Sequence, residues 1–287
     1  DVNGYGKVED IPAGNYDIRE LKAPAGYALD TATGTVTVTG GQTVAYSCQD
    51  TPQSNPVAVL LRKVEADKNK TQTQASASLA NAEFTVKYYK GIYDTDPALQ
   101  GIDPERTWIM KTNEKGDLPF DEKAKISGDD LYYMTNGNPA LPLGTVTIQE
   151  TKAPAGFLLN QEIFIRQITS DGTAETVATY DQPTVPETSQ KGIIRLQKSD
   201  SERNTAQGQA SLAGAIYEIR NSSNEVVSTI ITDNTGKGDS ERLPLGAYTV
   251  KEKTASPGYQ VDPQIYTVEL TAEDASAEVF YKSVSSK

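Results

Sequence analysis

The stretch that decides the fold is LPLGTVTIQETKAPAGF at residues 141–157. Its first half alternates β-branched or apolar residues with polar ones, which is the pattern of a strand with one buried face. The block recurs as IPAGNYDIRELKAPAGY at 11–27 and as LPLGAYTVKEKTASPGY at 243–259. In every copy a glutamate follows the proline by eight residues, and a glycine follows that glutamate by six. This repetition predicts three similar β-rich units.

Three further blocks recur around this one. The sequence of an opening strand occurs twice, that of a second strand also twice, and that of a polar, glycine-bearing turn three times. The first of the three repeats therefore lacks the two opening blocks. The blocks are VAVLLRKVEAD (57–67) and GIIRLQKSDSE (192–202), SLANAEFTVK (78–87) and SLAGAIYEIR (211–220), and DVNGYGK (1–7), TNEKGDL (112–118) and TDNTGKG (232–238).

These blocks predict three domains, at 1–53, 54–187 and 188–287, with an insertion at about 91–140 in the middle one. The segments TPQSNP (51–56) and QPTVPETSQKG (182–192) are rich in proline and polar residues, so we expect them to be exposed linkers. Because the chain has no initiator methionine, we expect it to be a piece of a longer precursor.

Composition excludes several classes of function. The 287 residues contain no histidine, which removes Ser-His-Asp, Cys-His and His-ligated zinc mechanisms. With 27 Lys and Arg against 39 Asp and Glu, the formal charge of −12 argues against nucleic acid as a partner. No segment is long and apolar enough to span a membrane. The acidic turns lack the calcium-loop pattern, so we predict no metal and no cofactor.

Strand parity places ionisable residues on the buried faces. Because alternate residues share a face, Glu20, Glu150 and Glu252 each end an inward-pointing row. Lys63 and Lys198 end the inward rows of the two opening strands in the same way. A closing strand supplies a third group at a similar offset from the glutamate. This group is Asp50 in the first domain, Asp181 in the second and Lys282 in the third.

A buried lysine beside two carboxyl groups favours a self-made amide. A lysine kept neutral by an apolar site is a nucleophile, and a buried carboxylic acid can polarise the acceptor carbonyl and move protons. The product is one Lys-to-Asp isopeptide bond, formed once with loss of water. The other interpretation of Lys63, Glu150 and Asp181 is a buried ion network without covalent chemistry, since unpaired buried charges are costly.

The blocks also carry a family resemblance. The lysine near the end of the opening strand, the L-A-[GN]-A block and the E-x-x-A-P-A-G-[YF] block resemble the collagen-adhesin B-type (Cna-B) and SpaA-like pilin domains of Gram-positive bacteria. The resemblance implies tandem all-β, immunoglobulin-like, prealbumin-like sandwiches on a surface protein anchored to the cell wall. It also implies that Lys63 bonds to Asp181 with Glu150 as the catalyst.

Two domains depart from this pattern. The first has Glu20 and Asp50 but no lysine, so it cannot form the bond alone, and its open sheet edge invites a donated strand. The third has Lys198 and Glu252, but Lys282 stands where an acceptor is expected. We therefore predict an ion pair there, shared with Lys282, and no bond.

The leading hypothesis is a stalk segment of an extracellular, cell-surface adhesin or pilin, which is not a turnover enzyme. Its expected partners are other pilus subunits. The alternative is a binding module for host matrix protein or glycan that uses Trp108, Tyr132 and Tyr133 of the insertion. A satellite core under a long loop is the other interpretation of these aromatic residues. A glycosidase with paired carboxylates is a third hypothesis, resting only on the abundance of Asp and Glu.

Overall fold

The fold is built almost entirely from β-strands. The computed structural model describes residues 4–66, 77–203, 205–273 and 278–286. Within these ranges the only helix is one short 3-10 turn, Pro97–Gln100. None of the described helical structure could cross a lipid bilayer. The predicted all-β class is confirmed, and its strands fall into the three repeats.

The middle unit is a two-layer sandwich. One layer has five strands in the order β11-β10-β5-β6-β8, and the other has three in the order β12-β4-β7. A short pair, β3 and β9, lies beside them. The strands are β3 (Ser54–Pro56), β4 (Val59–Glu65), β5 (Glu83–Tyr89), β6 (Arg106–Lys111), β7 (Asp117–Pro119), β8 (Lys125–Gly128), β9 (Ala140–Pro142), β10 (Gly144–Lys152), β11 (Ile163–Ile168) and β12 (Thr184–Glu187).

The last unit repeats this architecture with fewer strands. Its first layer has the order β15-β14-β18-β19, and its second layer centres on β13, which pairs with β16, β17 and β20. The strands are β13 (Lys191–Lys198), β14 (Ile216–Arg220), β15 (Val226–Ile231), β16 (Lys237–Asp239), β17 (Leu243–Pro244), β18 (Gly246–Thr254), β19 (Ile265–Leu270) and β20 (Val279–Ser286).

The first unit contains one hairpin, β1 (Gly14–Arg19) with β2 (Thr33–Val38). It matches β10–β11 and β18–β19 in register, since Gly14 pairs with Val38 as Gly144 pairs with Ile168. No second layer covers it within the described residues. Ile18 is therefore 37% exposed, whereas the equivalent Ile148 is fully buried.

Both predicted linkers contain strands, so that prediction is wrong. Residues 54–56 form β3, and residues 184–187 form β12 at the edge of a sheet. Val185 and Glu187 of β12 are buried. The proline at 186 misled the prediction, because an edge strand tolerates proline where a central strand does not.

The aromatic residues of the predicted insertion belong to the main core. β6 pairs with β5 just as β15 pairs with β14, so part of the segment 91–140 is regular sandwich. Trp108 is fully buried and packs edge-on against Phe120 and Tyr132. Tyr133 remains 51% exposed. Trp108 is therefore not available as part of a ligand-binding face.

Candidate functional site

The middle unit contains a buried lysine between two buried glutamates. The Lys63 side chain on β4 is completely shielded from solvent. Its Nζ contacts Glu150 Oε1 on β10, and it lies 2.9 Å from Glu187 Oε1 at the end of β12. The Phe84 ring centroid is 5.0 Å from the ammonium, which closes the apolar side of the site. The three charged groups thus share one dry pocket between the two layers.

A glycine turn holds the lysine strand in place. The Lys63 N–H donates to the Gly116 carbonyl, and Gly116 has a φ of +79°. A Cβ on Gly116 would lie 2.8 Å from the Lys63 carbonyl oxygen, which only glycine avoids. Gly236 has the same φ and the same contact with Lys198. The repeated polar turn therefore sets the position of each lysine.

A backbone hydrogen bond aims each glutamate at its lysine. The Asn160 N–H donates to Glu150 Oε2 at 2.8 Å, which leaves Oε1 facing Lys63. In the last unit the Asp262 N–H donates to Glu252 Oε2 at 2.6 Å, and Glu252 Oε1 faces Lys198. The donor is ten residues after the glutamate in both units. The spacing of the repeated block thus encodes the orientation of the carboxyl group.

Burial changes the protonation of Glu187. It raises the pKa of this carboxyl from 4.5 to about 7, since removal from water disfavours the charged form. Lys63 opposes the rise and the nearby Glu150 adds to it. Glu65 lies directly across the strand pair from Glu187 and is also buried. At neutral pH a substantial share of Glu187 is consequently the neutral acid.

Asp181 is not brought to Lys63. It lies on the exposed surface before β12, and its backbone carbonyl accepts a hydrogen bond from Arg166. The offset from Glu150 that predicted Asp181 ends six residues before Glu187. The segment before β12 is longer than its counterpart in the first unit, from which the offset was taken. Glu187 takes the place predicted for Asp181.

A short motif could have identified Glu187. DTPQ at 50–53 matches ETSQ at 187–190, and the structure makes these segments equivalent. Tyr27 bridges to Pro52 as Phe157 bridges to Ser189. The Gln53 N–H donates to Gly26 as the Gln190 N–H donates to Gly156. Asp50 in the first unit therefore corresponds to Glu187 in the second.

The last unit has the lysine–glutamate pair, and within the described residues no second carboxyl group lies within ion-pair distance of Lys198. Lys198 Nζ lies 2.9 Å from Glu252 Oε1, which is the expected ion pair. The residue beside Lys198 on β20 is Ser286, whose Oγ contacts Asp262 and Tyr217. Lys282 does not share this pair, because its Nζ pairs with Glu273 at 2.7 Å.

The first unit has the two carboxyl groups without a lysine. Glu20 Oε2 accepts a hydrogen bond from the Asp30 N–H at 2.7 Å, as in the other two units. Both Glu20 and Asp50 are half-buried. Within the described ranges no cation lies beside the Glu20 carboxylate. The orientation of the glutamate is thus repeated three times, and among the described residues a buried lysine contacts two buried carboxyl groups only in the middle unit.

The raised pKa of Glu187 predicts a pH-dependent stability in a chain that carries no amide at Lys63. In the folded state Glu187 keeps its proton up to about pH 7, whereas in the unfolded chain the carboxyl loses it near its ordinary pKa of 4.5. Protonation of Glu187 therefore stabilises the folded state fully below about pH 4.5, and this contribution is lost as pH rises through about 7. We expect the free energy of unfolding to fall by about 1 to 3 kcal/mol over this range. Fluorescence of Trp108, the one tryptophan, reports unfolding of this unit in urea.

The measurement compares Glu150→Ala with Glu150→Ala/Glu187→Gln, neither of which is expected to form the amide. Burial, the main cause of the shift, is kept in the single variant. Equal pH slopes in the two proteins would contradict the assignment of the titration to Glu187.

The chain matches a known domain family, and its fold is similar to those of solved structures. The family described as SpaA, prealbumin-like fold domain, matches residues 1–52, 64–183 and 192–283. No curated protein matches. The Bacillus anthracis TIE protein is 24% identical with a TM-score of 0.58, over 96% of this chain and 42% of that one. The chain thus spans less than half the length of that protein.

Two further solved structures are more distant. A C-terminal fragment of the pilus adhesin SpaC from Lactobacillus rhamnosus GG is 20% identical, over 75% of this chain and 83% of that one, with a TM-score of 0.34. The major pilin subunit BcpA of Bacillus cereus is 13% identical, over 96% of this chain and 85% of that one, with a TM-score of 0.36. With the family matched along most of its length, the chain belongs to the SpaA family of prealbumin-like fold domains.

Proposed function

We propose that this chain is a load-bearing stalk segment of a Gram-positive surface adhesin or pilus, with an internal amide between Lys63 and Glu187. The observation that carries the proposal is the contact of one fully buried ammonium with both Glu150 and Glu187. Sequence spacing favoured Asp181 as the acceptor, but that residue is exposed. The proposed acceptor is therefore Glu187.

The reaction needs one proton transfer and one displacement. Glu150, as a carboxylate, takes a proton from the Lys63 ammonium, and the free amine attacks the carboxyl carbon of protonated Glu187. The new C–N bond forms as the C–O bond to the departing hydroxyl breaks. Glu150 returns its proton to that hydroxyl, which leaves as water, and takes up the second amine proton. The products are one amide, one water and one neutral Glu150.

The reaction is favoured because it removes buried charges. Before it, an ammonium and at least one carboxylate lie in a pocket that excludes water, which costs several kcal/mol per ion before the ions attract each other. Afterwards the amide and the protonated Glu150 are both uncharged. The pKa of about 7 supplies the protonated form of Glu187 that the attack requires. The same enclosure keeps a polysaccharide away from the two carboxyls, so this pair does not support the glycosidase hypothesis.

The amide would give the middle unit its mechanical role. β4 opens the unit and β12 closes it, and the two strands are parallel neighbours. A bond from Lys63 to Glu187 would connect the entry strand to the exit strand, so that tension bypasses the hydrogen-bonded core.

The joints between units suit a stiff stalk. The side chain of Gln53 is buried and its Nε2 donates to the Ala174 carbonyl of the middle unit at 2.9 Å. Gln190 is buried at the next joint, where its N–H donates to the Gly156 carbonyl of the middle unit at 2.9 Å and its Oε1 accepts from the Glu273 N–H of the last unit at 3.1 Å. A Cβ on Gly156 would lie 2.8 Å from Leu245 of the last unit. Each unit is thereby packed and hydrogen-bonded to the next one.

The proposed location is extracellular, with the chain acting once on itself and not as a turnover enzyme. Neighbouring subunits of a pilus or adhesin are the proposed partners, through sequence on either side. Host matrix or glycan recognition by the segment 91–140 gains no support from its buried Trp108.

The test is the intact mass of the denatured, reduced chain. We expect wild type to weigh one water less than its sequence, and Glu150→Ala to have the full sequence mass. The acceptor is identified by a matched pair, since Glu187→Ala should restore the full mass and Asp181→Ala should not. Full mass in wild type would refute the amide, and loss of the bond in Asp181→Ala alone would return the acceptor to Asp181.

A further inference from the structure

One edge of the last unit is bare where the same edge of the middle unit is covered. β6 and β15 are counterparts, because each pairs with the matching strand, β5 or β14. The outer edge of β6 pairs with β8, whereas among the described residues no strand pairs with the outer edge of β15. The difference lies within the chain, since β8 belongs to the segment 120–139 and only residues 240–242 stand at the equivalent place between β16 and β17.

β15 lacks the charged residues and prolines that usually keep a second strand away from such an edge. Its sequence is VVSTII, and the register shift of the β14–β15 pair lies next to Val226, so residues 228–231 are regular. Ile231 is 64% exposed and Val227 is 39% exposed. The opposite edge of the same sheet, β19, carries Glu269. β15 is therefore the edge that is open to another strand.

The middle unit shows which backbone groups face this edge. There the Lys111 N–H and the Thr107 carbonyl form hydrogen bonds with the segment that contains β8. Their counterparts in β15 are Ile231 and Val227, so the backbone groups of these two residues and of Thr229 between them face outward. The side chains of the same three residues are exposed.

We propose that β15 pairs with β15 of a second copy of this chain, in antiparallel orientation about a two-fold axis at Thr229. In this register Thr229 lies opposite Thr229 of the second copy, and Val227 of each copy lies opposite Ile231 of the other. Threonine pairs and β-branched pairs stabilise antiparallel strands. The edge is thus complementary to itself, as a two-fold interface requires. Pairing joins two four-stranded layers into one sheet.

Charges at the two ends oppose the pairing. In this register Glu225 lies opposite Asp233 of the second copy, and like charges across a strand pair are destabilising. The contact is also much smaller than a standard protein interface, so association of the free chain is weak and needs high concentration. Added salt should strengthen it by screening these charges. Glu225→Lys should strengthen it further and reverse the effect of salt, because it makes each end an opposite-charge pair.

The geometry brings the two copies together in opposite directions. β13 and β20, the first and last strands of the unit, are parallel neighbours, so the chain enters and leaves the unit at opposite ends of its strands. Strands in the two layers of an aligned sandwich run within about 30° of each other. A second copy whose β15 is antiparallel therefore runs the other way. On a cell surface this pairing suits chains from two facing cells, a step that rests on the proposed function.

Disulfide trapping tests the register. Cys48 is the one cysteine, so Cys48→Ser/Thr229→Cys carries a single thiol on the two-fold axis. Facing Cα atoms of a hydrogen-bonded antiparallel pair are about 5.5 Å apart, which a disulfide can span. Added oxidised glutathione takes up the two hydrogens and is reduced to two thiols as the S–S bond forms. We expect covalent dimers from this variant and not from Cys48→Ser/Thr267→Cys, whose thiol lies on β19. Equal trapping in the two variants would overturn the register.

Sedimentation equilibrium at several concentrations measures the pairing without a cross-link. We expect reversible dimers of wild type, and a dissociation constant at least about tenfold higher in Thr229→Lys, which sets two ammonium groups opposite each other. Thr267→Lys, a change at another exposed position, should have no effect. A wild type that stays monomeric at every concentration, or dimers that Thr229→Lys leaves unchanged, would overturn the proposal. So would capture of a different protein by β15 while the chain itself remains monomeric.

These outcomes are separable from those of the proposed function. The amide of the middle unit is read from the mass of the denatured chain, in which no strand pairing persists. Pairing of β15 is read from native chains and is expected in wild type and Glu150→Ala alike, because β15 belongs to the last unit.

Discussion

Pulled from its two ends, the wild-type chain should not release the polypeptide between Lys63 and Glu187, whereas Glu150→Ala should release all of it. This stretch is 187 − 63 = 124 residues long. At about 3.5 Å per residue, its extension amounts to about 430 Å. The physical reason is that a Lys63–Glu187 amide carries tension from β4 directly to β12, so the strands between them bear no load. Single-molecule force extension measures the difference as one missing unfolding step.

The last unit provides an internal control in the same trace. Within the described residues Lys198 pairs with the Glu252 carboxylate alone, so we expect no amide in this unit and an unfolding step in both proteins. An unfolding step of the size of the middle unit in wild type would contradict the load-bearing role. If the unfolding step of the middle unit were absent in Glu150→Ala as well, the resistance of this unit to force would not come from the amide bond.

Replacing Lys63 with methionine should have the largest effect on equilibrium stability. The substitution keeps most of the length of the side chain and leaves Glu150 and Glu187 buried without their cation, which costs about 3 to 5 kcal/mol. It also removes the proposed cross-link, and closing a loop of roughly a hundred residues is worth about 4 to 5 kcal/mol by analogy with disulfides. We expect the middle unit to be unfolded or to unfold at much lower urea concentration, as followed by Trp108 fluorescence.

Lys198→Met is the matched control for this measurement. Lys198 is as deeply buried and pairs with Glu252, so the same substitution should destabilise the last unit and leave the Trp108 transition unchanged. Lys152→Ala, at a surface pair with Glu83, should shift stability by less than about 1 kcal/mol. A Trp108 transition that stays within about 1 kcal/mol of wild type in Lys63→Met would contradict a central role for the Lys63 side chain in stability.

Local patterns in the sequence were sufficient for much of the site. Alternation along the strands correctly predicted that Lys63, Glu150 and their counterparts Lys198 and Glu252 point inward. The constant distance from each glutamate to the glycine of the same block predicted equivalent loops, and the structure shows the same backbone hydrogen bond to all three glutamates. These features depend on neighbours within one strand or one hairpin.

The partner of the lysine could not be predicted in this way. β4 and β12 meet across more than a hundred residues, and the distance along the chain says nothing about register between parallel strands. The proline in β12 suggested a linker, because proline is accepted in a strand at the edge of a sheet and the sequence does not show that β12 is an edge strand. Trp108 likewise resembled an exposed loop residue until its packing on Phe120 was known.

The amino-acid sequence by itself determined the three repeats, the all-β class and the inward face of Lys63, Glu150, Lys198 and Glu252, because these follow from periodicity and short-range spacing. Only the tertiary structure decided that Glu187 and not Asp181 faces Lys63, and that Trp108 lies in the core. Both depend on which strands lie side by side after folding. Side-by-side packing is decided by the burial of whole layers and not by the order of residues along one strand.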